Sequence, residues 1–185
     1  MKIRDFLPPV VLSAARRVLR ANRARVFQSY AEAMSVCSKD GYENEAIIEV
    51  VVRKTIVYRD LLLSGNASCV LEPNGSFGLC SLMSALDRGT IRVLDFGGAA
   101  GAHYFLARRF LPSSIRLQWT VVETNAMAAR ARSALSGDEL GFSDDLESAA
   151  AELNQVDILY ASGVLQCVND PYRFLGRLLA INPRF

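Results

Sequence analysis

Apolar positions along the chain change their spacing near residue 90. Ahead of it they recur at helical intervals. Val10, Val11, Ala14, Val18 and Leu19 form one such set behind Pro8 and Pro9, which suit a helix start. Residues 29–37 carry a second helical stretch, and the Asp40 and Gly41 turn leads into a third over residues 44–63. In that third stretch Ile47, Ile48, Val51, Val52, Thr55 and Tyr58 make an apolar-weighted stripe, with Glu49, Arg53 and Lys54 pointing elsewhere, so it is expected to pack on a core. Ser64, Gly65 and Asn66 break it, and a fourth helix is expected over residues 76–86, closed by Asp87, Arg88 and Gly89.

From residue 91 short apolar runs alternate with helical ones. Strands are expected over residues 91–96, 117–122, 140–142 and 156–161, and helices over residues 102–111, 126–135, 144–153 and 171–181. Such alternation predicts an α/β fold with a parallel sheet of about four strands. The chain therefore divides into an N-terminal helical segment, residues 1–89, and a sheet-bearing domain, residues 90–185. It holds no internal repeat and no low-complexity tract.

Composition narrows the class of function. With 185 residues, 51% hydrophobic and 22% charged, the chain can close one sizeable core. A net charge of +2 is too mild for a nucleic-acid binder and leaves small-molecule chemistry as the better fit. Cys37, Cys69, Cys80 and Cys167 form no CxxC pair, and the single histidine, His103, cannot complete the usual zinc ligand sets, so no metal site is expected. Reduced thiols, together with the lack of any apolar run near the roughly 20 residues of a membrane span, point to the cytoplasm. Lys2, Arg4, Arg16, Arg17, Arg20, Arg23 and Arg25 outweigh Asp5 at the front of the chain. The first helix is thus either a solvated helix packed by its apolar stripe or a peripheral contact for an anionic membrane or a partner.

The chemistry gathers at the ends of the expected strands. Val93, Leu94, Asp95 and Phe96 run into Gly97, Gly98, Ala99, Ala100 and Gly101, a small-residue loop that opens a helix. Small side chains let a ligand approach the backbone, and a helix amino terminus favours anionic groups. In the dinucleotide pattern GxGxxG the three small positions would fall on Gly97, Ala99 and Ala102, so the middle glycine is missing. The alternation Asp95, Gly97, Ala99, Gly101 suits a zwitterionic amino-acid ligand better than a pyrophosphate. Further on, Trp119 to Val122 end in Glu123, where a carboxylate can accept both hydrogen bonds of a ribose diol; capping of the next helix is the plainer use. Ser143 and Asp144 follow the short third strand, with adenine contact and helix capping as equal alternatives. The apolar run at residues 156–161 reads as a strand covered on both faces, with Ser162 and Gln166 just beyond it.

The stretch from residue 91 onward resembles class I S-adenosyl-L-methionine (SAM) dependent methyltransferases. More narrowly, Asp95, Gly97, Gly98, Gly101, His103 and Tyr104, then Glu123, then residues 161–166 are similar to an uncharacterised bacterial methyltransferase family associated with surface-polysaccharide gene clusters. Residues 29–33 with Gly41 and Tyr42 resemble that family's front end. The resemblance implies a Rossmann-like domain that grips SAM through Asp95, Gly97, Gly98, Ala99 and Gly101, with His103, Tyr104, Glu123, Ser143, Asp144 and Ser162 around it. It also implies transfer of a methyl group to a small molecule, with a saccharide or polysaccharide precursor as the acceptor suggested by the gene association.

Class I methyltransferases continue with three more strands, whereas this chain reaches Phe185 one helix after residues 156–161. An incomplete domain is therefore expected, with that strand as an apolar edge that a second copy or a partner would cover. His103 and Gln166 are the candidates for a catalytic role, the first because an imidazole titrates near neutrality. Holding the cofactor or capping a helix is the competing use of His103. Cys167 has no partnering histidine, which counts against a nucleophile. Two other readings stand beside methyl transfer: a SAM-binding or interaction module without turnover, and an NAD-dependent Rossmann enzyme.

Overall fold

The structure is a computed structural model that describes residues 26–37, 41–65, 76–86 and 88–185. The basic helix expected near residues 10–19, and with it the membrane-surface reading, lies outside the described residues. The chain forms two compact units, Met1–Lys39 and Asp40–Phe185. In the first, helix α1 (Tyr30–Ser35) is capped by Ser29, whose hydroxyl accepts from Glu32 N at 3.2 Å. The Glu32 carboxylate reaches back to accept from Gln28 N at 2.8 Å. Satisfying free amides at both places starts a helix that buries no side chain of its own.

The second unit begins with α2 (Glu45–Leu63), where Asn44 Oδ1 accepts from Ala46 N and Ile47 N. The buried face of α2 consists of Ile48, Val52, Thr55 and Leu62, while Ile47, expected in the packed stripe, is 46% exposed. Neighbouring helix positions lie about 100° apart, so Ile47 and Ile48 cannot share the centre of one face. Helix α3 (Ser76–Ala85) follows and precedes the sheet. Then β1 (Thr90–Phe96), α4 (Ala102–Phe110), β2 (Arg116–Val122), α5 (Asn125–Leu135), β3 (Leu140–Ser143), α6 (Leu146–Leu153), β4 (Ile158–Ala161) and α7 (Pro171–Ala180) alternate.

All strand pairs are parallel, in the order β3-β2-β1-β4, so the fold is α/β and Rossmann-like. Successive strand side chains point to opposite faces. On one face Val93, Trp119 and Val121 meet Ala107 of α4, Met127, Ala128 and Ala131 of α5, and also Ile48, Val52, Leu79 and Met83 of α2 and α3. On the other, Leu94 and Val122 meet Leu146, Ala149 and Leu153 of α6 and Leu178 of α7. The helices of residues 45–85 thus share the sheet's core and do not form a core of their own. The chain steps from β1 to β2 to β3 with its crossover helices on one face, then returns over the other face to place β4 beside β1. Right-handed crossovers require that change of face.

Strand β4 is not left open along its whole outer side. Arg184 N donates to Val156 O at 3.1 Å, Phe185 N to Asp157 O at 3.0 Å, and Leu159 N to Phe185 O at 2.9 Å. The two Phe185 bonds have the pattern of one parallel bridge around Ile158, so Phe185 lies against the start of the outer edge of β4. Among the described residues no helix is long and apolar enough to cross a membrane.

Candidate functional site

Every strand of a parallel sheet presents its carboxyl end on the same side, and the reversal between β1 and β4 opens a crevice there. The residues from β1 into α4 form its floor. Gly97, Ala99 and Gly101 have φ of 73°, 51° and 81°, alternating with the buried Gly98 and Ala100. Ala99 holds a left-handed conformation that an L-residue adopts only when its surroundings enforce it. At Gly98 a Cβ would collide with the Asp95 carboxylate, which fixes the residue type there.

Asp95 is 1% exposed and lies under this loop. The Trp119 indole donates to its Oδ2 at 3.3 Å, and His103 Nδ1 is 3.3 Å from the same oxygen. A buried carboxylate needs such partners to remain in place. The His103 ring also meets Tyr160 edge-on at 5.0 Å, so it supports Asp95 and β4 and does not line the crevice. Tyr104 turns away as well, its hydroxyl donating to Glu139 Oε2 at 3.2 Å and its ring packing edge-on to Trp119. Burial, reinforced by the Glu139 charge, pushes the Tyr104 phenol up to about 12.

Glu123 stands at the end of β2, partly buried, and both of its oxygens are used by backbone amides. Oε1 accepts from Ala99 N and Oε2 from Thr124 N, each at 3.0 Å. The carboxylate thus ties the β1 loop to the β2 end. After β3, the Asp144 carboxylate accepts from Asn125 Nδ2 at 2.6 Å. Asp145, not Ser143, is the cap of α6, accepting from Ser148 N at 2.7 Å, while Ser143 Oγ stays within its own turn. Those hydrogen bonds, to Asn125 and to Ser148 respectively, hold Asp144 and Asp145 below the usual aspartate range.

Together these ends surround a cleft of about 470 Å³. Of the residues singled out from sequence, Gly97, Glu123 and Asp144 line it; Asp95, Gly98 and Gly101 support its floor from behind. Ser143, Ser162 and Gln166 are neighbours of lining residues and not part of the wall. The wall also contains residues that were not site candidates from sequence. Val164, after β4, closes against Gly97; Phe174 and Arg177 reach in from α7; Tyr42 arrives from the turn before α2. Tyr42 Oη and Cys167 Sγ share a hydrogen bond of 3.8 Å across 125 residues, and that bond pushes the Tyr42 phenol above its ordinary value. Phe96 and Phe174 pack at 4.8 Å between ring centroids, while Arg177 lies over the Phe174 ring and pairs with Glu147 at 2.6 Å.

Among the described residues the cleft is therefore apolar at Phe96, Val122, Leu146, Val164 and Phe174 and acidic at Glu123, Asp144, Asp145 and Glu147, against the single base Arg177. An apolar slot with a few converging polar groups is the usual form of a small-molecule site. Among the described residues no cluster of three His, Cys, Asp or Glu is placed to hold a metal ion. No protein-family model matches the sequence, and no curated protein or solved structure matches the chain.

Proposed function

We propose that this chain binds SAM in the cleft at the carboxyl ends of its strands and transfers the methyl group to a small-molecule acceptor. One observation carries the reading: the Glu123 carboxylate, at the end of β2, bonds the amide of Ala99 in the positive-φ loop. A carboxylate in that place serves a ribose diol. It also places negative charge on the loop amide that a dinucleotide would need for its pyrophosphate. SAM, with a sulfonium and an ammonium against one carboxylate, carries a net positive charge and suits a wall with four acids and one base. The NAD reading loses ground for the same reason.

The residues fit the cofactor in size as well as charge. A volume of about 470 Å³ lies within the range of about 300–1,000 Å³ usual for such sites. The missing Cβ of Gly98 lets the loop settle directly on Asp95, which keeps the floor low. In this reading Glu123 holds the ribose, Asp144 and the α6 amino terminus meet the adenine, and Phe96, Leu146 and Phe174 exclude water from its ring. Asp95 positions the loop, with Trp119 and His103 positioning Asp95 in turn. When bound, SAM supplies a methyl group on a sulfonium, so transfer to a nucleophile demands alignment more than strong acid or base chemistry. A saccharide acceptor and a cytoplasmic location belong to the same reading and rest on the sequence resemblance.

One observation favours the alternative of a SAM-binding module without turnover. His103, one of the two candidates for a catalytic role, is engaged with Asp95 outside the wall, and Gln166, the other, is outside it too. Calorimetry with SAM, S-adenosylhomocysteine (SAH) and NAD tests the common ground of both. The wild-type chain should bind SAM and SAH and not NAD, and Glu123→Gln should lose about tenfold or more in affinity, the worth of a hydrogen bond to a charged group. Selective NAD binding, or unchanged SAM affinity in the variant, would contradict the proposal. Labelled methyl transfer to a saccharide acceptor would then separate enzyme from module.

A further inference from the structure

Thr124 follows Glu123 and occupies the cap position of α5, yet its side chain makes no cap hydrogen bond. Its backbone is fully used: N donates to Glu123 Oε2 at 3.0 Å and O accepts from Ala128 N at 2.8 Å. The hydroxyl is not. Among the described residues Thr124 Oγ1 is a buried side-chain oxygen with no hydrogen-bond partner, in a residue that lines the cleft. Buried hydroxyls are ordinarily paired, and a threonine at a helix cap ordinarily pairs with the first turn. A hydroxyl that declines both is an exception with a cost.

The residue's neighbours say what it faces. On one side is Glu123, and on the other Asn125, whose amide is bonded to Asp144. Both Glu123 and Asp144 line the same cleft. We infer that Thr124 is a binding residue for a purine nucleoside, its hydroxyl donating to a ribose oxygen or a ring nitrogen between the groups held by Glu123 and Asp144. Threonine χ1 has staggered wells, so the hydroxyl can be redirected without moving the backbone bonds that fix the residue. This inference rests on the proposed SAM site and adds to it a hydroxyl that reads the nucleoside.

Thr124→Val keeps the shape and removes the hydroxyl; Thr124→Ser keeps the hydroxyl. SAH affinity by calorimetry and the unfolding temperature of each protein without SAH are the two readouts. The expected result is a loss of roughly tenfold in SAH affinity for Thr124→Val and less than about threefold for Thr124→Ser. The unfolding temperature of Thr124→Val should equal or exceed that of wild type, because no internal bond is lost. If the wild-type chain binds SAH and Thr124→Val binds it equally well, the inference fails while the SAM site stands. A fall of several degrees in the Thr124→Val unfolding temperature would also overturn it, since the hydroxyl would then be serving the fold. Failure of the folded wild-type chain to bind SAM or SAH would remove the methyltransferase reading and this inference together.

Discussion

A methyl group at position 98 would meet the Asp95 carboxylate, which the Trp119 indole and the His103 ring hold in place. Gly98→Ala is therefore expected to destabilise the fold by about 1–3 kcal/mol, the range for overpacking a closed site. A lower denaturant midpoint at unchanged slope would show it. Tyr104 makes a prediction of opposite sense, about pH. Its phenol is raised to about 12 by burial and by Glu139, so the stability it contributes is complete below its ordinary value near 10 and is lost as pH rises towards 12. Thermal unfolding followed across that window should fall more steeply for wild type than for Tyr104→Phe. At this scale the sequence was informative where residue type and strand end coincide, as for Asp95 and Glu123. What each carboxylate bonds was not legible, because Trp119 lies 24 residues from Asp95, as Ala99 does from Glu123.

Strand β4 depends on a charge pair that no local pattern announces. Asp157, fully buried just before the strand, accepts from Arg88 Nη1 and from Arg92 N at 3.0 Å, tying the approach to β1 to the start of β4. Removing one member leaves the other without its partner in a partly buried place. Asp157→Asn should cost about 2–4 kcal/mol, somewhat below the full penalty for a broken buried pair because Arg88 keeps some contact with water. Chemical denaturation of Asp157→Asn measures it, and a loss under about 0.5 kcal/mol would mean that β4 does not rely on the pair. Helix and strand types after residue 90 were readable from the spacing of apolar residues, since both sheet faces are covered and the buried positions of β1 and β2 are almost all apolar. Caps were less readable: Ser143 and Asp145 are both good capping residues two positions apart, and only the turn geometry selects Asp145. The exposed Ile47 beside the buried Ile48 marks the same limit on α2, where apolar residues occupy more than one face.

The whole molecule owes its cleft to the order in which four strands are laid down. Moving outward from β1 through β2 to β3 and then back to β4 creates a reversal that the alternation of elements in the sequence implies but does not locate. The cleft then collects Tyr42, Gly97, Glu123, Asp144, Val164 and Arg177 from six separate parts of the chain. Sequence reasoning found those carried by a strand end or a glycine loop. It missed Tyr42, Val164 and Arg177 because they reach the cleft through packing at long range. The central claim, a nucleoside site built on Glu123, is most directly tested by backbone amide NMR of the full chain titrated with SAH. The account predicts saturable shifts largest at Ala99 and Thr124, whose amides bond Glu123, with smaller ones at Leu146 and Val164. No shift at millimolar SAH, or shifts gathered away from these strand ends, would contradict it.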